Sequence, residues 1–222
     1  ALVWSGDIKS SFPSMKNQVA AGLNMGIAGI PWWTTDIGGF FGANINDPEF
    51  HELLVRWFEY GCFCPVMRLH GYRWPLQPQY GTTGGATCVS GAPNEVWSYT
   101  DQVCEILSDY LRLRERMLPY ITELMEEAHE KGTPVMRPLF YDFPEDKESW
   151  NVETEYMFGP KVLVKPITDA DARETDVYLP GGASWTNAWT GETFEGGQKV
   201  HVAAPIEQIP LFTRDGYKLP MK

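Results

Sequence analysis

The 222-residue sequence predicts an α/β fold over its first part and a small antiparallel all-β fold over its second. Up to Gly132, short apolar runs alternate with stretches of helical periodicity, which is the pattern of consecutive βα units. Beyond Gly132, short strand-like runs are separated by turns rich in Gly, Pro and Asp, which is typical of a β-sandwich. We therefore place a domain boundary between residues 1–132 and residues 133–222.

The α/β part begins with a strand and a capped helix. Ala1–Trp4 is a short apolar run that predicts a strand. Ser10 or Ser11 can then cap a helix that carries Pro13 in its first turn and ends at Gly26. Because the chain starts in this apolar run, with no initiator Met or signal peptide, we expect it to be a piece of a longer polypeptide.

Two further strands and a second helix follow. The apolar run Ile27–Trp33 predicts the second strand, Asp47 and Pro48 start the helix, and Phe63–Leu69 predicts the third strand. A Gly-rich loop over residues 71–93 comes next, and loops of that length in compact domains are usually functional or disordered.

A long helical stretch closes the α/β part. Apolar side chains keep a helical period from about Tyr99 to Glu130, and Pro119 should kink this helix or split it in two. Gly132 ends the stretch. The strand-like runs that follow are Val135–Tyr141, Tyr156–Phe158, Val162–Pro166, Val177–Leu179 and Ile209–Phe212.

Composition and charge narrow the range of functions. The chain carries 18 basic and 29 acidic residues, a net charge of −11, so no binding to a nucleic-acid backbone is expected. No apolar run approaches the ~20 residues that cross a bilayer, so no membrane association is predicted. Aromatic residues make up 14% of the chain, which favours a surface for ligands with apolar faces, such as sugars.

Three polar residues recur at a spacing that brings them together. Asp7 follows the first predicted strand, Asp36 the second and His70 the third, at intervals of 29 and 34 residues. A βα unit of a (β/α)8 TIM barrel takes about 31 residues, since about 250 residues make eight units. We therefore predict the C-terminal part of such a barrel, about its last three βα units, with the three side chains at its carboxyl-end mouth.

Aromatic residues flank these polar residues, and they suit a carbohydrate ligand. Rings stack on the C–H face of a sugar, while carboxylates accept its hydroxyl hydrogens. Simpler interpretations stay open: Asp36 could close an Asx turn, Arg68 could form a buried ion pair, and Trp32 could be a packing residue. The flanking aromatic residues are Trp4, Trp32, Trp33, Phe40 and Phe41.

An ordered set of motifs runs along essentially the whole chain. They are WSGD at residues 4–7, WWTTDIGGF at 32–40, PVMRLH at 65–70, LPY at 118–120, PVMRPL at 134–139, EYMFGPKVLV at 155–164 and VYLP at 177–180. In this order they resemble glycoside hydrolase family 31, which contains α-glucosidases and α-xylosidases. The tetrapeptide at 4–7 alone is a weak signal, whereas the ordered set is highly specific.

The resemblance implies a retaining α-glycosidase that acts on terminal α-linked glucosyl or xylosyl residues. By that match Asp7 is the general acid/base, and Asp36 and His70 hydrogen-bond the sugar in the cleavage subsite. The family's nucleophile, an Asp after the fourth barrel strand, would precede Ala1, so we expect no turnover by these 222 residues alone. No metal or organic cofactor is expected. The residues that would line the subsite are Arg68, Trp4, Trp33 and Phe40.

The predicted partners follow from the same resemblance. They are an α-linked oligosaccharide or glycoside as substrate and the N-terminal remainder of the chain's own barrel. An incomplete barrel exposes two unpaired strand edges and an apolar wall, so association into an oligomer is also expected. Two alternatives remain open: a noncatalytic carbohydrate-binding or scaffolding fragment, and an α-transglycosidase of the same family. Glucoside and xyloside specificity are not separated, because the two sugars differ by one hydroxymethyl group.

Overall fold

The computed structural model describes residues 1–221, and the first two helices begin where the sequence predicts. Helix α1 spans Phe12–Ile27 and is capped by the Ser11 hydroxyl. Helix α2 spans Pro48–Cys62 and is capped by the Asp47 carboxylate. Each cap gives a side-chain acceptor to a first-turn N–H group that has no partner within the helix.

The long helical stretch is split in two, as Pro119 predicts. Helix α3 spans Asp101–Arg116, and helix α4 spans Leu118–Lys131 with the proline in its first turn. Gly132 ends α4 with a left-handed backbone, at a φ of 72°. None of the helices within residues 1–221 is long and apolar enough to cross a lipid bilayer.

Two short parallel pairs organise the first part. Strand β1 spans Leu2–Trp4 and pairs with β2, which spans Trp32–Thr34. Strand β3, Ala43–Asn44, pairs with β4, Arg73–Trp74. The second pair joins the loop after β2 to the long Gly-rich loop, so the two loops are held side by side.

The third predicted strand, Phe63–Leu69, is wrong as a regular strand. The segment runs beside β2 but makes only isolated backbone contacts with it and its following loop. Val66 N donates to Trp33 O at 3.1 Å, and Ile37 N donates to Arg68 O at 3.3 Å. The neighbourhood of the segment is therefore as predicted, whereas its ladder of hydrogen bonds is not.

Two features of the segment explain the missing ladder. Pro65 has no N–H group to donate. The guanidinium of Arg114 on α3 takes the carbonyls of Cys62, Cys64 and Pro65 at 2.7–2.8 Å, which leaves them unavailable to a neighbouring strand. The number of complete βα units therefore stays a prediction.

The second part is built from two antiparallel sheets. Its strands are β5 (Met136–Pro138), β6 (Tyr156–Phe158), β7 (Val162–Val164), β8 (Glu174–Leu179), β9 (Ser184–Asn187), β10 (Thr193–Glu195), β11 (Gln198–Ala203) and β12 (Leu211–Arg214). The larger sheet has the order β10-β9-β12-β7-β6-β5, and the smaller sheet pairs β8 with β11.

The strands of this part differ from the predicted runs by two or three residues at several ends, and more strongly at two places. The run Val135–Tyr141 is a strand only to Pro138, and it continues as a short helix, α5, over Leu139–Asp142. Proline ends the strand because it removes a ladder donor. Strands β9, β10 and β11 were not predicted, since each carries polar residues beside its few apolar ones.

The larger sheet is a wall that two cores share. Met157, Leu163 and Phe212 pack into the core between the two sheets. Tyr156 and Val164, on the opposite face of the same sheet, belong to the core formed with the helices. This alternation follows from the two-residue period of a β-strand, and it explains why β6 and β7 are buried along their whole length.

A fully buried arginine joins the two parts of the chain. Arg56, on α2, donates from its Nη1 to Glu59 Oε2 at 3.1 Å. The other carboxylate oxygen, Glu59 Oε1, accepts from the Tyr110 hydroxyl at 3.1 Å. Burial raises the pKa of Glu59 to about 8, and Arg56 opposes this increase. We call Arg56, Glu59 and Tyr110 the seam. Arg56 also donates, at 2.6–3.4 Å, to the carbonyls of Ala172, Ala204, Pro205 and Gln208.

Candidate active site

The carboxyl ends of β1 and β2 carry the first two candidate residues. Asp7 lies just after β1, and Asp36 lies just after β2. Because the strands are parallel, the two loops leave the same edge of the sheet. The Thr35 hydroxyl donates to the Ser5 hydroxyl at 3.3 Å, so the two loops are also tied to each other.

Asp36 is the buried carboxylate of this region. Its side chain is inaccessible to solvent, and Arg68 Nη1 lies 3.2 Å from its Oδ1. Burial raises the pKa of Asp36, and the nearby Asp7 carboxylate adds to the increase. The positive charges of Arg68, His70 and Arg73 act in the opposite direction. The charges of three other candidate residues therefore act on this one carboxyl.

The two oxygens of Asp36 receive no hydrogen bond from the described residues. The contact with Arg68 is an ion pair without the alignment of a hydrogen bond. The Thr34 hydroxyl, two residues earlier on β2, is also buried without a partner within residues 1–221. Polar groups in this state are costly to bury, so this edge offers sites that a ligand hydroxyl would satisfy.

The other polar candidates are more open to solvent. Asp7 and His70 are exposed, and Arg68 is partly exposed. The His70 ring lies 5.7 Å from the Phe40 ring, between centroids, with an interplanar angle of 34°. The structure therefore groups one buried carboxylate with an exposed carboxylate, an arginine, a histidine and an aromatic ring. We call Asp7, Asp36, Phe40, Arg68 and His70 the mouth.

The tryptophans of β1 and β2 lie on opposite faces of the sheet. Trp33 is 3% exposed, and a Cβ placed on Gly22 of α1 would lie 2.8 Å from its indole. Trp32 lies on the opposite face of β2. Trp4 of the neighbouring strand β1 lies on the same sheet face as Trp32 and is 52% exposed. The structure thus leaves Trp4 accessible but does not bring Trp33 to the mouth, because its strand face is turned toward α1.

Arg73 is a buried residue that no pattern in the sequence singles out. Its guanidinium donates to Gly39 O at 2.7 Å and to Ile37 O at 3.0 Å, in the loop that Asp36 begins. A lone arginine in a Gly-rich loop has no periodicity that would single it out. The proximity of Arg73 to this loop depends on contacts between residues far apart in the sequence.

An apolar groove of about 700 Å³ lies apart from the mouth, between the segment 65–69 and helices α3 and α4. None of the mouth residues lines it. Within residues 1–221, no three His, Cys, Asp or Glu side chains are grouped so as to hold a metal ion. The groove is lined by, among others, Val66, Met67, Leu69, Trp97 and Leu111.

Two family models match the chain in succession. The glycosyl hydrolases family 31 TIM-barrel domain matches residues 1–124, and the glycosyl hydrolase family 31 C-terminal domain matches residues 132–219. The chain belongs to glycoside hydrolase family 31. Family 31 membership confirms the resemblance carried by the motifs. The fold is accordingly part of a family 31 TIM-barrel domain followed by a C-terminal domain with an antiparallel sheet.

Similar family 31 proteins include enzymes of two specificities. The crystal structure of an α-xylosidase from a soil metagenome, complexed with xylose, has a TM-score of 0.94 and 52% identity, over 99% of this chain and 33% of its own. An α-xylosidase of Saccharolobus solfataricus is 38% identical over 100% of this chain and 28% of its own length. Alpha-glucosidase 2 of Bacillus thermoamyloliquefaciens is 35% identical over 97% of this chain and 25% of its own. The chain thus spans a third or less of each relative.

Proposed function

We propose that this chain is the C-terminal portion of the catalytic barrel, with the β-domain that follows it, of a retaining α-glycosidase. The reaction is hydrolysis of terminal α-linked xylosyl or glucosyl residues. The observation that carries the proposal is the buried Asp36 carboxylate just after β2, which Arg68 Nη1 approaches to 3.2 Å and whose oxygens receive no hydrogen bond from the described residues. Membership of family 31 supports the reaction class.

Asp7 acts as the general acid/base of this reaction. In the first step its carboxyl gives a proton to the glycosidic oxygen as the bond to the anomeric carbon breaks, and a nucleophilic Asp from the remainder of the barrel attacks that carbon. In the second step the Asp7 carboxylate takes a proton from water, whose oxygen displaces the nucleophile. The exposure of Asp7 supports this role, because the carboxyl must meet both the leaving group and water.

The remaining mouth residues bind the sugar. Asp36 accepts hydroxyl hydrogens, which fits two buried oxygens that receive no hydrogen bond from the described residues. A hydrogen bond to a charged group contributes about 1.5–3 kcal/mol. Arg68 and His70 donate to sugar oxygens beside it. Phe40 and the accessible Trp4 offer ring faces to the C–H face of the sugar.

An α-xyloside is the first substrate to test. Two of the three relatives described above are α-xylosidases, and the one crystallised with xylose is 52% identical to this chain. An α-glucoside is the second, because a glucosidase is also among these relatives. The partner that the proposal requires is the N-terminal remainder of the barrel, which supplies the nucleophile and the other walls of the subsite.

The test measures kcat/KM of the full-length protein on aryl α-xyloside and aryl α-glucoside, with the β-anomers as controls. We expect turnover of at least one α-glycoside. The first product, followed by NMR, should keep the α configuration, as two displacements require. A β product, or sugar binding without turnover, would contradict the proposal, and the second result would favour a noncatalytic carbohydrate-binding protein.

A further inference from the structure

Arg73 is a fully buried arginine whose guanidinium reaches all three segments that carry the mouth. Its Nη1 donates to Gly39 O at 2.7 Å and its Nη2 to Ile37 O at 3.0 Å, both in the loop after β2. Longer contacts reach Ser10 Oγ, in the loop after β1, and His70 O, each at 3.4 Å. One side chain therefore spans loops that are separated by more than twenty residues in the sequence.

Arg73 is also anchored to helix α2 and to the segment that precedes α3. Its Nε donates to Asn94 Oδ1 at 3.1 Å, and its guanidinium carbon lies 4.9 Å from the centroid of the Phe50 ring on α2. The Tyr99 hydroxyl, just before α3, donates to the same Asn94 oxygen. The orientation of the guanidinium is thus set by the scaffold and needs no substrate.

The loops around Arg73 leave no spare room for the guanidinium. Gly38 and Gly39 have φ angles of 86° and 75°, which favour glycine. A Cβ on Gly38 would lie 2.9 Å from Arg73 Nη2, and a Cβ on Gly71 would lie 2.5 Å from the guanidinium. Loop and guanidinium therefore fit each other closely, so a shift of one displaces the other.

We propose that Arg73 is a positioning residue for the glycosidase reaction. It fixes the backbone that carries Asp36, Phe40 and His70 in the arrangement that receives the sugar. This inference rests on the proposed function, since the residues it positions are those assigned to sugar binding. Arg73 itself touches no reacting atom and acts through the carbonyls beside them. Misplacement of a site by ~1 Å can cost about 10²-fold in rate.

Arg73 also influences Asp36 through its charge. Burial raises the pKa of Asp36 and Asp7 adds to the increase, whereas Arg68, His70 and Arg73 lower it. Removal of the Arg73 charge should therefore raise this pKa further. Since a neutral carboxyl is a poorer acceptor than a carboxylate, the acid limb of the kcat/KM profile should then move to higher pH.

The test compares R73M and R73K with R56K in the full-length protein. Arg56 is a matched control, because it is equally buried and equally bound to carbonyls but lies at the seam. Each variant is assayed on the α-glycoside that the wild type hydrolyses, across a range of pH. Activity is expressed per folded molecule, with the folded fraction taken from circular dichroism.

R73M should lower kcat/KM about 10²-fold and move the acid limb of the pH profile to higher pH. R73K keeps the positive charge but loses the planar guanidinium with its several donors. The acid limb should therefore return to its wild-type pH, whereas kcat/KM should stay roughly tenfold or more below wild type. R56K should change neither quantity per folded molecule. This split distinguishes positioning from a general loss of stability, which would not move the acid limb.

R73K decides the question alone if R73M does not fold. A kcat/KM for R73K within about twofold of wild type, or a loss per folded molecule that R56K matches, would overturn the role of Arg73. A wild-type protein that hydrolyses no α-glycoside would instead overturn the proposed function. The two failures are therefore separate results of the same assay.

Discussion

The mouth and the seam each contain a buried carboxylate beside an arginine, and the two differ in what reaches their oxygens. At the seam, both oxygens of Glu59 accept a hydrogen bond, one from Arg56 and one from Tyr110, each at 3.1 Å. At the mouth, Arg68 lies 3.2 Å from Asp36 Oδ1, yet neither Asp36 oxygen receives a hydrogen bond from the described residues.

This difference is the one expected between a structural carboxylate and the ligand-binding carboxylate that we propose Asp36 to be. A buried acceptor without a donor costs about 1–3 kcal/mol, and more when it is charged. Folding alone would favour the arrangement of Glu59, in which both oxygens are bonded. Asp36 retains the costly arrangement at the carboxyl end of parallel strands, where barrel enzymes place their chemistry.

The largest effect should come from Asp7→Ala in the full-length protein. We expect kcat/KM on a glycoside with a poor leaving group to fall about 10²–10⁴-fold, because the leaving oxygen loses its proton donor. A glycosyl fluoride, which needs little protonation, should lose much less. The exposed Asp109→Ala is the control. Equal losses on the two substrates would remove Asp7 from the acid/base role.

Arg56→Met tests the seam side of the comparison. The substitution removes the charged partner of the buried Glu59, which keeps only its bond from Tyr110, and takes one donor from each of four backbone carbonyls. The free energy of unfolding should therefore fall by about 3–5 kcal/mol. Denaturant titration measures the loss. Arg112→Met, which breaks an exposed pair with Asp109, should cost less than about 1 kcal/mol. Similar losses for the two arginines would show that the seam adds nothing beyond a surface pair.

Asp36→Asn should affect binding and stability in opposite directions. We expect kcat/KM to fall about 10–100-fold, the equivalent of one charge-assisted hydrogen bond, while the free energy of unfolding stays level or rises by up to ~1–3 kcal/mol. The reason is that the substitution removes a buried negative charge whose oxygens receive no hydrogen bond from the described residues. Loss of stability with unchanged kcat/KM would make Asp36 a structural residue like Glu59.

The smallest effect concerns Asp146, a carboxylate whose pKa is lowered, whereas that of Asp36 is raised. Partial burial pushes its pKa up, but hydrogen bonds from the Tyr178 hydroxyl and the backbone of Gly181 and Glu148 outweigh it and hold the pKa below 3.8. The unfolded chain therefore takes up the proton first as the pH falls. The stabilisation is complete above pH 3.8 and is lost in more acid solution.

Asp146→Asn should remove this part of the acid sensitivity. Denaturant titrations at pH 3 and pH 6 would show a smaller loss of stability in the variant than in the wild type, because other carboxylates act equally in both. An identical pH dependence would mean that the hydrogen bonds to Asp146 do not favour its ionised form.

Features set by neighbouring residues were predictable from the sequence. The caps Ser11 and Asp47, the break at Pro119 and the stop at Gly132 depend on local backbone chemistry, and the structure confirms them. The spacing of strand ends also indicated the region in which the mouth residues gather, because parallel strands end at one edge. Their roles in catalysis and binding stay proposals.

Features set by distant contacts were not predictable. Strand alternation separates Trp33 from Trp32, but only the position of α1 decides which of them is packed away. The irregular segment 63–69 depends on an arginine of α3, about fifty residues later. Arg73 gathers three loops through backbone carbonyls and the Ser10 hydroxyl, and such contacts leave no mark on composition or periodicity.

The shared larger sheet has a consequence for engineering. If residues 133–221 were produced alone, Tyr156, Phe158 and Val164 would be exposed to solvent, because their packing partners lie on the helices. Two units that are distinct in sequence would therefore melt together and could not be exchanged as modules between relatives. A chimera that keeps its solubility must carry the contacting surfaces of α2 and α4 along with the sheet.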